Sequence, residues 1–141
     1  MKTLKKILIA LFGVTMIASF AACSDDDDDK KGGNSALIGT WKTTWEEDGD
    51  WDIYTITFNE NGSGVWIDEW SEDGITGKNV INFNYTYKDN TIVVSYSETE
   101  DDRTTEETFI WNVVSLDKSK LIITCINEDG ETEKIIWDKI R

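Results

Sequence analysis

The sequence predicts an all-β fold, an eight-stranded antiparallel up-and-down meander closed into a barrel, over residues 37–141. Three observations predict it. β-Branched and aromatic residues alternate with polar ones at a period of two, polar clusters interrupt that alternation at regular spacing, and no stretch of this block repeats its apolar residues at the helical period. The block is also long enough to bury one core without disulfide or metal support.

The elements follow in order. Strands are expected over 39–46, 51–58, 64–71, 80–87, 91–98, 105–114, 120–127 and 131–140. The turns between them centre on Asp48-Gly49, Asn61-Gly62, Asp73-Gly74, Asp89-Asn90, Asp101-Asp102, Asp117-Lys118 and Asp129-Gly130. Asn-Gly and Asp-Gly pairs supply the positive φ that tight hairpins demand. Consecutive hairpins with no crossover make a meander, and a meander of this size hides its edges best by closing. A two-sheet sandwich fits the same alternation, but no connection is long enough to suggest a Greek key. Eight strands enclose a lumen that side chains or one small ligand can fill.

Short motifs point the same way. Gly39-Thr40-Trp41 at the start of the first strand is similar to the Gly-x-Trp signature of lipocalins. Phe58-Asn59-Glu60-Asn61-Gly62-Ser63-Gly64, followed by Trp66, resembles the second hairpin of bacterial lipocalin-like lipoproteins, and the stretch from Trp111-Asn112-Val113-Val114 to Leu121-Ile122-Ile123 fits that family. The chain lacks the second Thr-Asp-Tyr motif and the C-terminal helix of true lipocalins. The resemblance implies a lipocalin-like barrel that binds a small apolar or amphipathic ligand. It also implies a basic partner, Lys139 or Arg141, for Trp41 at the closed end.

The first 36 residues read as an address. Lys2, Lys5 and Lys6 precede an apolar run from Ile7 to Ala18, and small residues lead to Cys23. This is the grammar of a signal peptide over residues 1–22, and the apolar run is too short to span a hydrocarbon core. Ala21-Ala22-Cys23 resembles the lipobox of bacterial lipoproteins, with bulky Phe20 where Leu is usual, which implies acyl chains on Cys23 as the membrane contact. Ordinary cleavage beside a free cysteine is the alternative. Residues 23–36 hold Ser24, the aspartates Asp25 to Asp29, two lysines and two glycines, a composition suited to an extended tether. The acidic run behind the cysteine resembles the export signal that places lipoproteins on the outer face of the outer membrane. A plain solvated spacer, or an engineered protease site at 26–30, are the other readings.

Composition bounds the partners. The formal net charge is −14, and loss of the three leader lysines makes the remainder more acidic. Nucleic acid and anionic headgroups are therefore poor partners. Histidine is absent, which removes the commonest general base, the usual triads and the best zinc ligand. Gly62-Ser63-Gly64 lacks the spacing of a nucleophile elbow. Paired carboxylates can run glycoside hydrolysis, but here they crowd the turns, where solvation explains them. The chain is expected to be a monomeric binding protein, not an enzyme, with no cofactor and no metal. Glu47-Asp48-Gly49-Asp50 is the one place weighed for calcium, and it lacks EF-hand spacing. Cys125 reads as a small core residue.

Two features mark a binding surface. The odd-numbered turns carry the acid: Glu46, Glu47, Asp48, Asp50 and Asp52 at the first; Asp68, Glu69, Glu72 and Asp73 at the third; Glu98, Glu100, Asp101, Asp102, Glu106 and Glu107 at the fifth; Glu128, Asp129, Glu131 and Glu133 at the seventh. The even-numbered turns, with Glu60, Lys88, Asp89, Asp117, Lys118 and Lys120, balance. Since a meander alternates its turns between two ends, one end should be acidic and face away from the tether. That rim keeps hairpins soluble and blocks strand pairing, or it collects cations and basic partners. The second feature is aromatic. Trp41, Tyr54, Phe58, Trp66, Phe83, Tyr85, Tyr96 and Trp111 are the lumen candidates for ligand contact. Trp51, Trp70, Asp50 and Asp68 are candidates for an outer surface that binds glycan or a basic protein, although parity alone leaves Trp66 and Trp70 ambiguous.

Overall fold

A computed structural model of the protein describes residues 35–127 and 129–141. The expected signal peptide, the lipid-bearing Cys23 and all but the last two residues of the tether lie outside the described residues. The strands are β1 (Gly39–Glu47), β2 (Asp50–Phe58), β3 (Ser63–Glu72), β4 (Ile75–Lys88), β5 (Thr91–Glu100), β6 (Arg103–Leu116), β7 (Lys120–Ile126) and β8 (Thr132–Lys139). Each pairs antiparallel with the next, and β8 returns to β1 through Trp41 with Lys139 and Lys42 with Asp138, which closes the barrel. This is the eight-stranded up-and-down architecture expected, of lipocalin-like form.

Turn chemistry sets where the strands begin. Asp48-Gly49, Asp73-Gly74, Asp89-Asn90 and Asp101-Asp102 all have positive φ at both residues. That is the two-residue turn whose twist matches the flanking strands. Pairing then starts at the residues touching the turn, Glu72 with Ile75 and Glu100 with Arg103. This is why β4 and β6 run to 14 residues each and start earlier than the sequence pattern suggests. Ile75 to Asn79 shows no apolar alternation, yet the turn fixes its register. The loop after β2 is longer. There Asn59 N–H bonds to Ser63 O, and Gly62 takes φ 87°.

The two ends differ. Thr40 N–H donates to Arg141 O, Lys139 N–H to Ser119 O, Tyr85 N–H to Gly62 O, and Val113 N–H to Asn90 O. These bonds tie the even-numbered turns to the start of β1 and the C-terminus, so the tether enters at that end. The odd-numbered turns stand at the other end, where Asp73 N–H donates to Asp50 Oδ1 and links the first and third hairpins. The acidic end therefore points away from the tether, as the alternation of turns requires.

The core fills the closed end. Leu37 plugs it from the segment before β1, accepting a 2.8 Å hydrogen bond from the Trp41 indole through its carbonyl. Above lie Ile56, Phe58, Phe83, Tyr85, Ile92, Val94, Trp111, Leu121, Ile123 and Trp137, all buried. Gly64 lets the Phe83 ring lie against the sheet, and a Cβ there would meet that ring and Thr57 O. A bulge between Val113 and Ser115 displaces Val114 outward, where it is exposed.

Candidate ligand-binding mouth

Cross-strand partners share a face, so register decides which side chains enter the lumen. Trp41 pairs with Ile56 and Ile56 with Trp66; Thr43 pairs with Tyr54 and Tyr54 with Asp68; Trp45 pairs with Asp52 and Asp52 with Trp70. The first of these rows is apolar. The next two, nearer the acidic end, are polar and aromatic together.

Trp66 is the hub between the two zones. Its ring lies 5.4 Å from Trp111, 6.0 Å from Phe109, 6.4 Å from Tyr54 and 6.5 Å from Trp137, mostly edge to face. Such aromatic pairs add about 0.5–1.5 kcal/mol each beyond area burial. Trp41, Trp66, Trp111 and Trp137 are all buried. Together with Phe58, Phe83 and Tyr85 they form a packed floor, and the lumen's polar space begins above it.

Above the floor the inner face changes character. Tyr54 is 1% exposed, and its hydroxyl has no hydrogen-bond partner in the structure. Burial pushes its phenol far up, and the charges of Asp68 and Asp52 push it further, which places both carboxylates around that hydroxyl. Asp52 itself is fully buried. Across β5 and β6, Tyr96 stacks on Phe109 at 5.6 Å and pairs with Glu107. Burial raises the Tyr96 phenol, with Glu107 and Glu98 adding to the shift. On β8, Glu133 pairs with Cys125 and points one buried, unpartnered oxygen inward. Burial raises its carboxyl above the usual range, and burial with the Glu133 charge pushes the Cys125 thiol up to about 11. The indole N–H groups of Trp66 and Trp137 also lack partners. A cleft of about 480 Å³ opens beside Glu98, Asp101, Arg103 and Thr105 on the fifth hairpin.

The expected site residues fall into three groups. Trp41, Phe58, Phe83, Tyr85 and Trp111 face inward and pack on one another in the floor, Tyr85 also donating its hydroxyl to Asn59 O at 2.6 Å. Tyr54, Trp66 and Tyr96 face inward at the boundary of the polar zone. The surface set needs correction. Trp51 is outward, but Trp70, Asp68 and Asp50 occupy lumen-facing register positions, because Asp52 pairs with Trp70, Tyr54 with Asp68 and Glu47 with Asp50. Trp70 lies on Gly77, where any Cβ would strike its indole. Parity from Tyr54 leads across the register to Asp68 and Trp70, but only once the register of β3 is known. Asp52 and Glu133 were read as rim acids for the same reason, although each shares parity with inward neighbours.

Among the described residues no group of three or more His, Cys, Asp or Glu is arranged to hold a metal ion. No described helix is long and apolar enough to cross a membrane, which says nothing of strands. Comparisons with protein-family profiles, curated proteins and solved structures gave no match.

Proposed function

We propose that this chain is a lipid-anchored protein of the outer membrane surface, and that it binds a small amphipathic ligand at the open, acidic end of its barrel. The anchor is Cys23, with residues 1–22 as the cleaved signal peptide. The observation that carries the binding reading is the division of the interior, a packed aromatic floor below buried polar atoms of Tyr54, Trp66 and Glu133. A buried polar group without a partner costs about 1–3 kcal/mol, and a ligand that supplies the partner recovers that cost. Tyr54, Trp66 and Tyr96 are the lumen residues placed to touch such a ligand. No catalytic role, cofactor or resident metal enters this reading, and the chain acts as a monomer.

The orientation favours the same reading, since the tether enters at the even-turn end and leaves the mouth facing outward. The alternative, a rim that binds glycan or a basic protein, keeps Trp51 as its one outward aromatic. Mass spectrometry of the membrane-extracted protein is expected to find an acylated N-terminal cysteine, and Cys23→Ser should release the protein to the soluble fraction. Protein that still partitions with membranes after that substitution overturns the anchor. Titration of the full-length protein with octyl-chain amphiphiles, followed by calorimetry, tests the mouth, and the absence of binding by every headgroup overturns it.

A further inference from the structure

We infer that the mouth selects a ligand with a positively charged headgroup, a small organic ammonium. The inference rests on the ligand-binding reading above and names the headgroup class that the site takes.

The inner face at the acidic end carries Asp52, Asp68, Glu98, Glu107 and Glu133 on lumen-facing register positions. Among the described residues Arg103 is the one base that shares this face at that end. A cluster of carboxylates on a surface is ordinarily a solvated one. Here a second observation separates it from that case: the Tyr54 hydroxyl is buried, has no hydrogen-bond partner and stands within the field of Asp52 and Asp68. A phenol oxygen beside carboxylates forms an acceptor set, and an ammonium brings three donors and no acceptor. Glu133 adds a buried oxygen that also lacks a partner.

The walls fit the same guest. Trp66, Trp70 and Tyr96 stand on the lumen-facing positions beside these carboxylates, and aromatic faces attract cations through the ring quadrupole. The unpartnered indole N–H groups of Trp66 and Trp137, taken alone, suit a sugar hydroxyl. Charge decides between the two. A neutral polyol leaves the excess of buried and half-buried carboxylates unbalanced, whereas an ammonium neutralises part of it in a region of low dielectric, where charge pairs interact most strongly.

The experiment uses the full-length protein and three probes with one tail, octylammonium, octanoate and octyl glucoside, each titrated calorimetrically below micelle formation. Octylammonium is expected to bind at least tenfold more tightly than either of the others, and to weaken as salt rises. Asp68→Asn and Glu133→Gln are each isosteric and should reduce octylammonium binding at least fivefold while leaving the circular dichroism of the folded protein unchanged. Equal binding of all three probes overturns the cation inference and leaves the amphiphile reading standing. Preference for octyl glucoside overturns it in favour of the sugar. No binding by any probe overturns both readings together.

Discussion

The Lys139 ammonium lies 5.1 Å from the centre of the Trp41 ring, and donates a 3.1 Å hydrogen bond to Ala36 O. Two strands that meet through only a short register are thus held by one side chain that covers the floor of the barrel and clasps the segment leading into β1. The resemblance left Lys139 and Arg141 open as the partner of this tryptophan, and the lysine fills the place. Lys139→Met keeps the stem but loses the charge. Cation–π and charged hydrogen-bond contributions together predict a loss of about 1–3 kcal/mol, read by urea denaturation. Lys139→Arg should recover part of it. A neutral outcome for Lys139→Met means that the closure between β1 and β8 does not depend on this contact.

The two-residue turns predict stabilising substitutions. Asn90 and Asp102 hold φ of 58° and 63° as the second residue of their turns, a place where glycine removes side-chain crowding. Asn90→Gly or Asp102→Gly should stabilise by a few tenths to about 1 kcal/mol. Gly49→Ala, at φ 90°, should destabilise by about 1 kcal/mol or more. Thermal melts of the three variants check the signs, and a loss of stability in both glycine variants contradicts the turn assignment.

Much of this architecture is legible in the residues. Aspartate followed by Gly, Asn or Asp marks the four tight turns, and alternation places Tyr54, Ile56 and Phe58 on one face without reference to other strands. Register between strands is another matter. Trp66 and Trp70 sit among Val65, Ile67 and Asp68, so both faces of β3 offer apolar or aromatic residues and parity alone does not choose. The choice comes from pairing with β2, where Tyr54 meets Asp68 and carries Trp66 and Trp70 inward with it. Buried acids were hidden for a related reason. Asp52 and Glu133 lie near turns rich in solvated carboxylates, and nothing local distinguishes a side chain that turns inward from its neighbours that do not.

Glu133 gives a prediction in pH. Its carboxyl is raised in the folded state by burial, so the folded protein holds that proton to higher pH than the unfolded chain does. The penalty is absent below the unfolded carboxyl range, grows as pH rises through it, and is complete above the folded value. Glu133→Gln should therefore raise the melting midpoint at pH 7 and leave it unchanged near pH 3. A midpoint lowered at pH 7 would show the charged form to be the favoured one in the folded protein.

The last prediction concerns the floor. Trp66 touches Tyr54, Phe109, Trp111 and Trp137 at once, so its removal deprives four rings of a contact and leaves a void where the lumen narrows. Truncation of a buried tryptophan costs about 3–5 kcal/mol, since the surrounding rings close on the space only in part. Trp66→Phe, which keeps a ring, should cost less than Trp66→Ala. An apolar void of this kind stays dry and admits small aromatic guests. Trp66→Ala should therefore bind benzene or indole where the parent protein does not, and the guest should restore part of the lost stability in denaturation curves. If the parent protein already takes up benzene with the same affinity, the floor is open and the four tryptophans line a cavity instead of filling it. A cost below about 1 kcal/mol for Trp66→Ala would lead to the same conclusion, because a side chain that can be removed so cheaply has few packed neighbours to lose.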